Sequence, residues 1–308
     1  MIANVKKIGL LWPCQDTDAW DRDPSAPNII RVGDQLRLYY HGRQNNRIRI
    51  GMAEADIGDP LNWRKRFDRP VLDLGPEGSL DSHWAGYPWI VPITDNHFHL
   101  YYATWDGTTH DNGVQKKWRT SLAESDDGGL TWQKTNRALI EVGQPGACDE
   151  HATGSCAVRQ VGNQYWMWYT AISRPRVDWY RISTALATSD DGGHTFTRHS
   201  AGAVINLPPR IGSPGSTCSK PYVEVDGDQF RLWFSCAADG QSYRVHYAES
   251  RDGIHFNWDP DPFIDVTPGA WDSEHTCYPC ILRLNGRVFI FYDGDNYAGI
   301  GVAEIGKE

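Results

Sequence analysis

Five stretches of this chain share one layout: a polar cluster, usually a proline, an apolar run alternating with polar residues, a tight turn, and a second run dense in Tyr, Trp and Phe. They read "RDPSAPNIIRVGDQLRLYYHG" from Arg22, "LDSHWAGYPWIVPITDNHFHLYYAT" from Leu80, "CDEHATGSCAVRQVGNQYWMWYTA" from Cys148, "PGSTCSKPYVEVDGDQFRLWFSC" from Pro214 and "WDSEHTCYPCILRLNGRVFIFYDG" from Trp271. The alternation has the period of two that strands need, and Gly, Asp and Asn between the runs supply turns. Pro27, Pro88, Cys156, Pro221 and Pro279 hold one place in the five units, roughly 60 to 70 residues apart, the length of a four-stranded propeller blade.

A third run follows in each unit and ends in a common phrase: "IGMAEAD", "SLAESDDGGLTW", "ALATSDDGGHTF", "HYAESRDGIHF" and "GVAEIG". A fourth alternates aliphatics with acids, as in "PVLDLG", "ALIEVG" and "PFIDVT". The fifth unit ends before any fourth run, whereas "VKKIGLLW" near the N-terminus has that run's composition. The pattern predicts an all-β chain, a single five-bladed β-propeller over residues 1–308 with four-stranded antiparallel blades beginning near 22, 80, 148, 214 and 271. Residues 4–12 would complete the last blade, leaving no open edge. "SDDGGLTW" and "SDDGGHTF" match the Asp-box pattern, in which Asp and Ser bond the turn backbone and a terminal aromatic plugs the core. They belong at blade rims and speak for architecture.

Composition narrows the function. Net charge is -9 and charged residues are 22%, so no global basic field exists to hold nucleic acid or an anionic membrane. The N-terminal stretch lacks the apolar segment of a signal peptide and no run approaches a membrane span, which leads to a cytoplasmic expectation. Seven cysteines without an export signal read as reduced thiols. Cys277 and Cys280 form a C-x-x-C with no second pair, so neither a metal nor a cofactor is expected. Fourteen Trp and fourteen Tyr suit the apolar faces of sugar rings as well as a β core.

Residues just before the innermost strands of a propeller converge at one channel mouth. Counted without gaps from the shared proline position, Trp20, Asp81, Asp149, Pro214 and Asp272 stand seven residues upstream. Arg22, His83, His151, Ser216 and Glu274 stand five upstream, Asp23, Trp84, Ala152, Thr217 and His275 four upstream, and Ala26, Tyr87, Ser155, Lys220 and Tyr278 one upstream. A recurring Asp reads first as a blade pin. Varied titratable groups at equivalent places read as an asymmetric ligand site. That marks Asp23, Glu150, Glu274, Arg22, His83, Trp84, His151, Lys220 and His275, joined from the second-to-third-strand turns by His41, Arg43, Trp105, Asp106, Arg119, Arg244, Asp293 and Asp295.

The phrases "DPSAPNIIRVGD", "HWAGYPWIV" and "YRVHYAESRDGIHF" resemble the five-bladed propeller glycoside hydrolases, the superfamily of families 32, 43, 68, 117 and 130. "SKPYV" and "WDSEHTCYP" look like uncharacterised bacterial propellers met near surface-polysaccharide genes. The resemblance implies cleavage of a glycosidic bond by paired carboxylates: Glu150 as acid, Asp23 as base and Asp81 orienting the sugar, with Glu274 a further candidate. Donors from different blades imply a wide gap and inversion. Arg22, Lys220, Arg119 and Arg244 imply an anionic sugar, or phosphate in a phosphorylase or transfer enzyme. The alternative is a glycan-binding propeller without catalysis.

Overall fold

The computed structural model describes residues 4–15, 18–110, 115–176, 179–205, 217–237, 241–295 and 298–306. The expected start of the fourth unit at Pro214, with Ser216, lies outside them. In chain order β1 (Val5–Pro13) precedes a first repeat of β2 (Asp23–Val32), β3 (Gln35–Gln44), β4 (Arg47–Asp56) and β5 (Arg64–Lys65). The second repeat holds β6 (Trp84–Pro92), β7 (Phe98–Trp105), a small hairpin of β8 (Thr109–His110) and β9 (Gln115–Lys116), then β10 (Arg119–Ser125) and β11 (Gln133–Ala138). The third holds β12 (Ala152–Val161), β13 (Gln164–Arg176), β14 (Trp179–Ser189) and β15 (Thr197–Arg198). The fourth holds β16 (Thr217–Asp226), β17 (Gln229–Ala237), β18 (Arg244–Ser250) and β19 (Asn257–Trp258), and the last β20 (Cys277–Leu284), β21 (Arg287–Asp293) and β22 (Gly299–Ile305). Every regular element among the described residues is a strand, and no helix is long and apolar enough to cross a membrane.

Within each repeat the strands pair antiparallel in sequence order. The N-terminal β1 pairs antiparallel with β22, from Val5 opposite Ile305 to Pro13 opposite Gly299, so the two ends of the chain share one sheet. The first strands of the repeats contact one another: β2 with β20 and β6, β6 with β12, β12 with β16, and β16 with β20. Their apolar faces supply much of the core, in which Trp89, Trp168, Tyr101 and Phe234 are fully buried.

One strut recurs. A buried aspartate ahead of the first strand accepts a hydrogen bond from a tyrosine on the second strand and an ion pair from a base on the fourth. Asp81 takes Tyr102 Oη at 3.2 Å and Lys134 Nζ at 2.5 Å, Asp149 takes Tyr169 and Arg198 at 2.7 Å each, and Asp272 takes Tyr292 at 2.9 Å and Lys7 at 2.6 Å. The first repeat uses Asp21, with Tyr40 and Lys65 at 2.7 Å each. The gap-free alignment places Trp20 in this column because the first unit is one residue shorter ahead of its strand. Trp20 instead matches Trp271: the two stack on the strut tyrosines Tyr40 and Tyr292. Gly301 exists for this contact, since a Cβ there would lie 2.2 Å from the Trp271 ring.

A second recurring device aims residues at the centre. Every first strand breaks register just before or at the shared proline position, between Ser25 and Asn28, Gly86 and Trp89, Thr153 and Cys156, Ser219 and Tyr222, and Cys277 and Cys280. At four of these bulges a non-glycine residue takes a left-handed backbone: Ala26, Tyr87, Lys220 and Tyr278, with φ of 49–55°. Such residues cost roughly 1–3 kcal/mol each and persist where surrounding structure enforces them, often beside a site. In the two "SDDGG" turns Asp127 accepts from the N–H groups of Leu130 and Thr131, and Asp191 from those of His194 and Thr195.

Candidate active site

The residue following the strut tyrosine points toward the bulges, and it differs in every repeat: His41, Ala103, Thr170, Ser235 and Asp293. Three of them cap the next repeat's bulge. Asp293 accepts from the Ala26 N–H at 3.0 Å and from the Ser25 hydroxyl, Thr170 from the Lys220 N–H at 3.0 Å, and Ser235 from the Tyr278 N–H at 2.8 Å. His41 lies edge-on to Tyr87 at 4.7 Å, and Tyr87 meets Tyr278 at 5.5 Å. The asymmetry expected of the first strand is thus strongest on the second.

Three of these central groups are fully buried and titratable: His41, Lys220 and Asp293. Burial pushes the Asp293 carboxyl up to about 7, against the pull of the Ser25 hydroxyl, the Ala26 N–H and the Lys220 charge. Burial lowers the Lys220 ammonium, whose Nζ has no hydrogen-bond partner and lies 6.0 Å from the Trp89 ring. Burial, then Arg43 and Lys220, push His41 down to about 3, and neither ring nitrogen is bonded. Asp293 thus carries a proton near neutrality, which suits a general acid.

Linkage makes this measurable. Unfolding releases the Asp293 proton at an ordinary aspartate value near 4, whereas the folded chain keeps it to about 7. Asp293 therefore lowers stability as pH rises through that window. Asp293→Asn removes the effect, so its stability relative to wild type is expected to grow by roughly 2–3 kcal/mol between pH 4.5 and 6.5, read from urea midpoints. Parallel pH curves for the two proteins would show that Asp293 is ionised throughout.

Around this centre lie the residues the sequence marks. Asp23 is held by Arg43 at 3.1 Å, has Arg22 at 3.6 Å, and receives the Cys14 thiol. Beside Arg43, Lys116 lies over Trp84 at 3.8 Å and Trp105 at 4.9 Å, and burial with the Arg43 charge pushes it down to about 8. Trp118 and His83 complete this wall, His83 edge-on to Trp105 at 5.2 Å. Across the third repeat, Glu150 accepts N–H groups from Gly146 at 2.7 Å and Arg174 at 3.0 Å, with His151 Nδ1 at 3.6 Å. His151 in turn packs against His110 and Tyr180.

Several expectations change. Asp81 is consumed by its strut and orients no sugar. Burial alone would raise Glu150, yet its two N–H donors and His151 outweigh it and hold the carboxyl below the usual range, so Glu150 is ionised and is not the acid. Lys220 sits under the bulge, fully buried, and not at the mouth. Arg244 braces loops by pairing with Asp265 at 2.8 Å and donating to the Glu274 carbonyl. Glu274 and His275 donate their N–H groups to Asp295, which shapes that turn, and the Glu274 side chain is exposed. Arg119 donates to the Trp118 carbonyl and has Glu141 at 3.6 Å. Cys277 and Cys280 are buried in the first strand of the last repeat, and burial pushes the Cys280 thiol up to about 12, so the pair is packing and no redox motif.

No family model matches the chain. A protein of Mycobacterium tuberculosis named Rv1502, described as uncharacterized, is 28% identical over 315 residues, covering 97% of this chain and 98% of its own. Among solved structures, a BT0996 complex with RGII superimposes with a TM-score of 0.79 at 18% identity, over 98% of this chain and 92% of that one. The chain has the fold of the propeller-type glycoside hydrolases. A further match, from a study of the GH130 mannoside phosphorylases and of glycoside hydrolases within them that target β-1,2 mannosidic linkages in Candida mannan, has a TM-score of 0.73 at 13% identity, over 99% and 94% of the two chains.

Proposed function

We propose that this chain is a five-bladed propeller that cleaves a glycosidic bond at the mouth of its central channel. The observation that carries the reading is the broken column at the centre, His41, Ala103, Thr170, Ser235 and Asp293, because a purely structural repeat has no use for five different side chains there. The cyclic contacts of β2, β6, β12, β16 and β20 support five blades around one axis, and the pairing of β1 with β22 supports one closed domain.

In the reaction, protonated Asp293 hands its proton to the leaving oxygen and ionised Glu150 activates the attacking water. Asp23, fixed by Arg43, holds substrate hydroxyls, and the Arg43, Lys116 and Arg22 charges favour an anionic sugar. The two carboxyls come from the third and the last repeats, which favours the wide separation of an inverting enzyme. The cytoplasm, as read from the sequence, remains the proposed location. Glu150→Gln is expected to lose about 100-fold or more in kcat on a glycoside the wild type turns over, with oligosaccharide binding retained. Wild-type inertness across a broad glycoside panel, with binding intact, would make the chain a glycan-binding module. Cleavage that depends on added phosphate would make it a phosphorylase.

A further inference from the structure

At the outer edge of the second repeat three histidines surround one carboxylate. Glu124 Oε1 lies 3.2 Å from His194 Nε2, 3.5 Å from His99 Nε2 and 3.8 Å from His97 Nε2. His97 and His99 are two residues apart and share a strand face, and His99 stands directly across the ladder from Glu124. His194 comes from the third repeat, at the variable position of its "SDDGGHTF" turn. The ligand atoms of His97, His99 and Glu124 all lie within 4.8 Å of one another.

The tautomers follow from the partners on the far side of each ring. His194 Nδ1 is 2.8 Å from the Asp191 carbonyl, which only accepts, so it carries the hydrogen. His97 Nδ1 is 2.7 Å from the Asp126 carboxylate, which imposes the same tautomer. Tyr101 donates its hydroxyl to the Gly193 carbonyl at 3.2 Å and therefore accepts from His99 Nδ1 at 3.3 Å. All three neutral rings thus turn an Nε2 lone pair on the Glu124 oxygen. Acceptor faces acceptor three times, an arrangement that calls for a cation.

We propose that His97, His99, His194 and Glu124 form a binding site for a divalent transition-metal ion, with zinc the best fit. Bonds of about 2.0–2.1 Å from a tetrahedral ion imply ligand atoms about 3.3–3.4 Å apart, close to the spacings observed. Three imidazoles select against calcium and magnesium, and far-side acceptors on metal-binding histidines are the usual way their rings are oriented. His97, His194 and Glu124 are each about one-third exposed, so an ion has a path in, while His99 closes the site from beneath. The ion would bolt the second repeat to the third. This replaces the sequence expectation of a chain without metal, and it is independent of the glycosidase reading.

The test is titration of the full chain, stripped of metal and of any polyhistidine tag, with zinc chloride in a calorimeter. One ion per chain is expected, with Kd of about 1 µM or tighter, and the melting temperature rises with zinc. His194→Ala, on an exposed turn, is expected to weaken binding about 100-fold or more while leaving the metal-free melting temperature near wild type, and Asp126→Ala to weaken it about 10-fold. No one-to-one binding at 100 µM zinc, or binding undiminished in both His194→Ala and Glu124→Gln, would overturn the site.

Discussion

Asp293→Asn is expected to lower kcat on a turned-over glycoside by about 100- to 10,000-fold while leaving oligosaccharide affinity within a few-fold of wild type. The substitution keeps shape and the bonds from Ser25 and Ala26, and removes only the proton that the buried carboxyl holds to about 7. Wild-type kcat/KM should fall as pH rises through about 7, because the active form is the protonated acid. Glu150, held below its ordinary value, sets the acidic limb. A more activated leaving group, which needs no protonation, should recover much of the Asp293→Asn rate. If the variant were as active as wild type, or if the alkaline limb stayed in place in it, the acid would be another group.

The largest structural effect is expected at a strut. Asp149→Ala leaves the Tyr169 hydroxyl without its acceptor and Arg198 without its counter-ion, and the missing carboxylate is fully buried. Removing one partner of a buried, hydrogen-bonded ion pair costs about 3–5 kcal/mol, so the variant should melt well below wild type. Tyr169→Phe, which keeps the ion pair, should cost about 1–2 kcal/mol. Equilibrium urea unfolding of the three proteins checks the order. A cost below about 1 kcal/mol for Asp149→Ala would mean the recurring aspartates are incidental.

Strand order is legible because period-two runs and turn residues recur at one spacing, and the same recurrence marks Asp81, Asp149 and Asp272 as pins. Asp21 escapes a gap-free alignment because the first unit is one residue shorter. The central column is half visible: His41 and Asp293 stand among the turn residues, but registering the units on the second-strand tyrosine shows that they share one position. What the sequence cannot supply is contact between repeats. His97 and His99 announce themselves as an H-x-H pair, yet His194 is about a hundred residues away. Only packing of the third repeat's turn against the second brings it to Glu124. Nor does any propensity rule foretell left-handed backbone at Ala26, Tyr87, Lys220 and Tyr278, because neighbouring side chains enforce it.

The most direct measurement is a crystal structure of Glu150→Gln soaked with an oligosaccharide that the wild type cleaves. The scissile oxygen should lie within hydrogen-bonding distance of Asp293, with the residue-150 side chain on the opposite face of the sugar and Asp23 and Arg43 on its hydroxyls. A sugar bound at an outer edge of the fold, or one whose scissile bond lies beyond reach of Asp293, would contradict the account.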